Sequence, residues 1–399
     1  VAEHLAATTP PPPARLLPVA VLLWLAGLYL RIPVLVAPPL APFISNELTL
    51  TQALTGALTT LPILMLAIGS MPGSLAIARI GPRNTLALAM VIMVIGSAGR
   101  ALVPDTLTLM LASVVMGLGV AMMQPALPAL LPRWLEPHHL ALGSAIYMNG
   151  MLMGEFIGAG ITLPVLMPLF DNSWRATLLA WSLPALLVAA ALYLPKREWA
   201  KPVGQVAWLP DWSNPLTLKI GLLLGLSGSM FFGLNAYMGN LLEQQGQFGK
   251  LSDALFWFNL AQVLASLIML KMARAWVGRR STIIVAAALS ILGALGAITF
   301  TSWWSIASAT LMSLTSGILL ILLVAVPPLV TTSPETGRLS AGTFLVGYTL
   351  AFSIPMLGGL IADWTGDARH AILTIIAYSL LVLPRAFTLD LKPKDQPGS

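Results

Sequence analysis

Two residues carry chemistry in places where charge is costly. Arg31 lies in LLWLAGLYLRIPVLVAPPLAPFI, residues 22–44, a run with no other charged side chain. Glu155 lies in AIYMNGMLMGEFIGAG, residues 145–160, as the only acid deep in an apolar run of this chain. An arginine at the centre of a membrane helix costs roughly 2.5–3.5 kcal/mol on insertion scales. A guanidinium cannot escape that cost by losing its proton. It must meet water, a counter-charge, helix carbonyls or an anion, to which it offers two parallel N–H donors. A carboxyl in hydrocarbon takes up a proton or needs a cation beside it. Glu155 is therefore a candidate proton carrier, a candidate resting counter-ion of Arg31, or a neutral hydrogen-bonded acid.

Other polar groups could join them. Tyr147, Met151 and Glu155 recur at spacing four and share one helix face. Gly150, Gly154 and Gly158 form a neighbouring stripe suited to close helix contact. Asn149 is either a solute contact or a packing residue. Asn235, Tyr237, Asn240, Asn259, Gln262, Tyr348 and Ser353 supply polar groups later in the chain. Trp257 could cover a planar solute or belong to an interfacial aromatic belt. No central cation accompanies these, so charge recognition rests on the first half. The candidate substrate set is Arg31, Tyr147, Asn149, Glu155, Asn235, Tyr237, Trp257, Asn259, Gln262 and Tyr348, with Glu155 as the candidate proton-coupling residue. Arg100 either snorkels to headgroups or gates. Arg175 is expected to pair with the nearby Asp171.

The elements that must position these groups follow from composition. Of 399 residues, 57% are hydrophobic and 9% charged, against about 25% charged in soluble domains. At roughly 20 apolar residues per crossing, the chain reads as twelve spans, from 16–42 to 370–389. Pro33, Pro38, Pro39 and Pro42 withhold backbone donors, so span one should bend or break just outside Arg31. Counted from residue 16, Arg31 lies 15 residues in, and Glu155 lies 14 residues into a span beginning at 141. At ~1.5 Å per residue both sit near the mid-depth of the membrane.

Basic residues set the orientation. With the N-terminus inside, sixteen Lys and Arg fall in cytoplasmic segments, while Arg175, Lys250 and Arg369 fall outside. That bias places both termini in the cytoplasm, and the expected location is an inner membrane. The first apolar run is expected to stay as a helix rather than be cleaved. The expected organisation is a tail at 1–15, a six-helix half at 16–195, a central cytoplasmic loop at 196–214, a second half at 215–390 and a tail at 391–399. The halves look alike. ARIGPRN, residues 78–84, matches AWVGRRS, residues 275–281, pairing Gly81 and Arg83 with Gly278 and Arg280. Ser113 and Gly117 pair with Ser313 and Gly317. A duplicated unit is how several carriers build a site at the repeat interface.

Several classes are excluded. There is no cysteine, so thiol catalysis and thiolate metal sites are absent. His4, His138, His139 and His370 fall in tails or loops, without metal-ligand spacing. No nucleotide-binding loop occurs. We expect no enzyme activity, no cofactor and no metal. The formal charge of +6 is distributed by topology, so no nucleic-acid partner is implied. The expected partners are the bilayer, a small anionic solute and protons, with the chain acting as a monomer.

The turn SLAIARIGPR, residues 74–83, resembles the motif Gly-x-x-x-Asp-Arg-x-Gly-Arg-Arg of the major facilitator superfamily. It keeps Arg79, Gly81 and Arg83 and replaces the Asp with Ala78. Ser113, Gly117 and Gly119 resemble the superfamily's span-four motif without its arginine. Five further stretches are similar to the cyanate and 2-nitroimidazole transporter family. They are LYLRIPVLVAPPLAPFI around Arg31, TGALTTLPILMLAIGS, AGRAL at Arg100, SWRATLLAWSLPALL and LGGLIADWTG. The resemblance implies an all-α membrane protein of twelve helices in two pseudo-symmetric halves, working by alternating access on small, often anionic, solutes. It places Arg31 where that family has its membrane arginine. It implies gating or structural roles for Arg79, Gly81, Arg83, Arg100, Gly278 and Arg280. Proton-coupled export of drug-like or nitroaromatic compounds is the alternative.

Overall fold

A computed structural model of the chain describes residues 16–136, 139–195, 212–331 and 333–391. Arg15, Lys196, Arg197, Lys201, Lys392, Lys394, His4 and His138, with the expected tail at 1–15, the other tail beyond Leu391 and most of the central loop, lie outside the described residues.

The described residues form helices and no strand. Among the described residues, twelve helical stretches are long and apolar enough to cross a membrane. Spans one to six are Leu16–Leu48, Gln52–Gly69, Pro82–Gly99, Thr106–Trp134, Leu142–Leu169 and Trp174–Ala191. Spans seven to twelve are Pro215–Gln244, Phe248–Ala273, Arg280–Thr299, Ser302–Val324, Arg338–Thr365 and Arg369–Phe387. Their ends carry ordinary stop and start chemistry. Thr51, Asp105, Ser173 and Asn214 each accept a hydrogen bond from a first-turn amide, which satisfies donors a helix start leaves open. The Thr108 amide holds the Asp105 carboxyl below the usual carboxylate range, and Arg369 does the same for Asp367.

Span one is the irregular element. It comprises three helices, Leu16–Leu28, Ile32–Leu35 and Ala37–Leu48. The break falls at Arg31 itself (φ −129°, ψ −34°) rather than just beyond it. Pro33 gives no N–H to the Tyr29 carbonyl and its ring crowds that turn. The amides of Leu30 and Arg31 reach only three residues back, to Gly27 and Leu28. Span five is the second irregular element. An α-helix over Leu140–Phe156 widens into a π-helix over Ile157–Leu166, directly after Glu155.

The two elements are packed backbone to backbone. A Cβ at Gly27 would lie 2.3 Å from the Tyr147 carbonyl oxygen, one at Gly150 2.3 Å from that of Trp24, and one at Gly154 2.4 Å from that of Leu28. No real Cβ fits at such distances, so these glycines fix how close spans one and five come. The stripe lies beside the Glu155 face and continues past it to Gly158, where a Cβ would lie 3.1 Å from the Ile32 carbonyl oxygen.

Repetition is visible at matched positions. Gly81 and Gly278 both turn in the left-handed region, at φ +82° and +80°, where a side chain is disfavoured. Gly117 admits Pro62 and Met65 of span two, and Gly317 admits Gln262 and Ala265 of span eight. A further pair escaped the sequence comparison. Gly96 meets the Met116 amide nitrogen and Ala112 carbonyl as Gly293 meets those of Met312 and Ser308.

Candidate substrate site

Between the halves lies a narrow cavity of about 40 Å³. Arg31 and Glu155 line one side, from spans one and five. The second half supplies the remaining lining. Span seven contributes Leu224, Ser227, Gly228, Phe231 and Phe232, span eleven Phe344, Gly347, Tyr348 and Ala351, and spans eight and ten Gln262, Ser316 and Leu320.

Arg31 Nε lies 3.1 Å from Glu155 Oε1, with both side chains 6% exposed. The guanidinium stands over the Phe232 ring, 5.6 Å from its centroid. The N–H of Nε is not aligned on the carboxylate, so the contact is an ion pair and Nε makes no hydrogen bond. A pair at this separation gains roughly 5 kcal/mol at an effective dielectric of about 20. Removing two charges from water costs several kcal/mol for each. The two effects nearly cancel, so the pair is poor as a structural brace and easy to re-form around a ligand. Arg31, Arg100 and Glu155 are the buried charged residues among those described; of these, Arg31 and Glu155 line the cavity, so its charge is balanced while the acid is ionised and positive once the acid is protonated.

A face of aromatic rings completes the wall. Phe344 and Tyr348 stack at 5.6 Å and 15°. Phe231 stacks on Phe258 at 5.6 Å and meets Phe232 edge-on at 5.0 Å. Tyr348 accepts a hydrogen bond from Gln124 Nε2 of span four at 3.3 Å, so both halves meet at this wall.

The Major Facilitator Superfamily model matches residues 21–249, more than half the chain. The chain belongs to the major facilitator superfamily. This facilitator is 28% identical to the 2-nitroimidazole transporter of Escherichia coli (strain K12) over 88% of its length and 90% of that protein's. It is 24% identical to the cyanate transport protein CynX of the same organism, over 88% of its length and 93% of that protein's. The D-xylose-proton symporter shares its fold at a TM-score of 0.73 and 14% identity, over 95% of this chain and 98% of that one. A bacterial homolog of the human lysosomal transporter Spinster, in an inward-facing and occupied conformation, does so at 0.71 and 15%, over 95% and 97%. The chain is thus a multi-pass integral membrane protein and a secondary transporter of small solutes, not an enzyme.

Of the ten expected substrate residues in this facilitator, Arg31, Glu155, Gln262 and Tyr348 line the cavity. The other six are not among its lining residues. Asn235 and Asn259 are fully buried and spend their amides on each other, at 2.9 Å and 3.4 Å. Tyr237 is fully buried and donates to the Pro355 carbonyl at 2.8 Å. Trp257 is 48% exposed on the outer surface of the bundle. Asn149 is exposed and accepts from Trp24 Nε1 at 3.0 Å, tying span five to span one. Tyr147 gives its backbone to the Gly27 contact.

The gating candidates also separate. Arg100 does not snorkel; it is 1% exposed and donates to the Pro33 carbonyl at 2.7 Å and to Ser97 Oγ at 3.1 Å. Ser97 in turn accepts from Ser182 Oγ of span six at 2.7 Å. Arg100 therefore ties spans three and six to the break beside Arg31. Arg175 pairs with Glu47 at 2.7 Å rather than with Asp171. Arg83 donates to the Pro195 carbonyl between the rings of Trp134 and Tyr193. Its counterpart Arg280 stands 3.9 Å from Asp390, and Arg79 is exposed.

The aromatic wall is what sequence reasoning missed. Leu224, Ser227, Gly228 and Phe231, like Phe344, Gly347, Tyr348 and Ala351, recur at helical spacing of three and four. That periodicity was available. It does not distinguish a cavity face from a packing or lipid face, because all three are apolar in a membrane.

Proposed function

We propose that this transporter moves a small anionic solute, cyanate-like or a small organic anion, across an inner membrane by alternating access, with both termini cytoplasmic. The observation that carries the reading is the Arg31–Glu155 pair. It is a buried ion pair in a cavity lined by both halves, with no aligned hydrogen bond at Arg31 Nε. An entering anion takes two donors from Arg31 and displaces Glu155. The displaced carboxylate then binds a proton, which couples anion and proton movement. A cavity whose charge turns positive when Glu155 takes up a proton supports an anion over a cation. The names of the two curated relatives, a cyanate transport protein and a 2-nitroimidazole transporter, support small solutes of this kind.

One observation favours a second reading, proton-coupled export of drug-like or nitroaromatic compounds. The cavity wall opposite the ion pair is mostly aromatic and aliphatic, suited to a flat apolar body. In that reading Glu155 carries the proton and Arg31 is its partner.

Purified protein in proteoliposomes decides between them. Uptake of radiolabelled cyanate, benzoate and neutral 2-nitroimidazole is measured with and without a pH gradient. The anion reading expects saturable anion flux that Arg31→Ala abolishes, and anion flux surviving in that variant overturns it. Proton coupling expects Glu155→Gln to transport without responding to the gradient; an unchanged response removes the role.

A further inference from the structure

At the end of the bundle away from the chain termini, a side chain of the second half closes over the start of a helix in the first. Asp363, near the end of span eleven, accepts from the backbone N–H groups of Gln52 at 2.5 Å and Ala53 at 3.0 Å. These are the first two residues of span two. Thr51, which caps that helix, accepts from the Leu54 amide instead, so the two earlier amides are served from across the seam. A carboxylate at a helix start meets open donors and the positive end of the helix dipole.

Neighbouring contacts tie the same place. Asn240 of span seven donates to Gln52 Oε1. Gly359, one turn before Asp363, lets the backbone of Ala53 come so close that a Cβ there would lie 2.6 Å from its Cα. Gly56, one turn after Gln52, lies against the Tyr237 hydroxyl.

We propose that Asp363 is a gating residue, a latch that holds this end of the transporter closed by capping span two from the opposite half. Both of its bonds cross the seam, so neither survives if this end opens. Removing the carboxylate destabilises the closed arrangement alone. The inference uses the alternating-access reading but is independent of what the cavity binds.

The absence of cysteine from the chain makes a clean test. Spin labels are placed at Leu102→Cys and Thr301→Cys, exposed positions at this end on opposite halves, and the distance distribution is measured in lipid nanodiscs. The unmodified background is expected to show a dominant short and a minor long distance. Asp363→Ala is expected to raise the long-to-short ratio roughly fivefold, the usual effect of losing a helix cap. Asp363→Asn, which keeps size and one acceptor, moves it less in the same direction and serves if the alanine variant does not fold. Asp367→Asn, whose acid pairs with Arg369 on its own half, leaves the ratio unchanged. Folded Asp363 variants with the starting ratio overturn the latch, as do equal shifts in Asp363→Asn and Asp367→Asn. A single distance in every protein, with added substrate candidates or without, counts instead against alternating access.

Discussion

At the scale of single residues, cost and capacity meet in Arg31. Its charge is paired with Glu155, while its Nε–H is left unaligned. A charge-assisted hydrogen bond is worth about 1.5–3 kcal/mol, so losing one of two to an anion should lower kcat/KM by roughly 10–150-fold. We expect Arg31→Lys to fold and to show a loss of that size, since an ammonium is a point donor without the planar fork. Uptake kinetics in proteoliposomes check it, and activity equal to the parent would show that the fork is not used. Arg100 makes a different prediction. Its charge rests on the Pro33 carbonyl and Ser97, both met by Nη2, and the lysine side chain is one bond too short to bring its ammonium to that place. Arg100→Lys should lower the thermal midpoint, with a stability loss of about 1–3 kcal/mol, and loosen the break that carries Arg31. Thermal unfolding in detergent measures the first effect.

At the scale of elements, the site depends on two irregular helices held at backbone contact. A Cβ at Gly154, one residue before Glu155, would lie 2.4 Å from the carbonyl oxygen of Leu28, three residues before Arg31. Gly154→Ala must push span one from span five, and overpacking of this kind typically costs 1–3 kcal/mol. Transport should fall more steeply than stability, because separation of the helices also separates the ion pair. Paired measurements of thermal midpoint and initial uptake rate test this, and transport retained in a destabilised variant would sink it. Helix ends offer a pH prediction. The lowered Asp105 carboxyl stabilises span four while ionised. That contribution is complete above the ordinary carboxylate range and is lost as pH falls through the lowered value. Asp105→Asn should therefore flatten the decline of the thermal midpoint below about pH 4.

At the scale of the whole molecule, the halves meet around the cavity and close over it at the end away from the termini. Phe43 of span one and Phe248 of span eight face each other there, with ring centroids 6.5 Å apart. A Phe43→Cys, Phe248→Cys pair bridged by a short bis-thiol reagent should stop turnover, and cleavage of the bridge should restore it. Full transport in the bridged protein would exclude opening at this end. Much of this was legible in the sequence. Apolar run length gave twelve spans, because hydrocarbon thickness fixes helix length. Glycines at matched spacing gave the duplication, because only glycine allows those backbone approaches. The desolvation cost of charge singled out Arg31 and Glu155, which then had few places to find a partner. Their pairing, the removal of Asn235, Tyr237 and Asn259 to buried structural bonds, and the aromatic wall were decided only by tertiary structure. A buried amide can serve a ligand or a neighbouring helix equally well, and an apolar helix face can meet lipid, protein or cavity. Packing decides which, through contacts between residues far apart in the chain: Asp363 and Gln52 stand 311 positions apart and share a hydrogen bond.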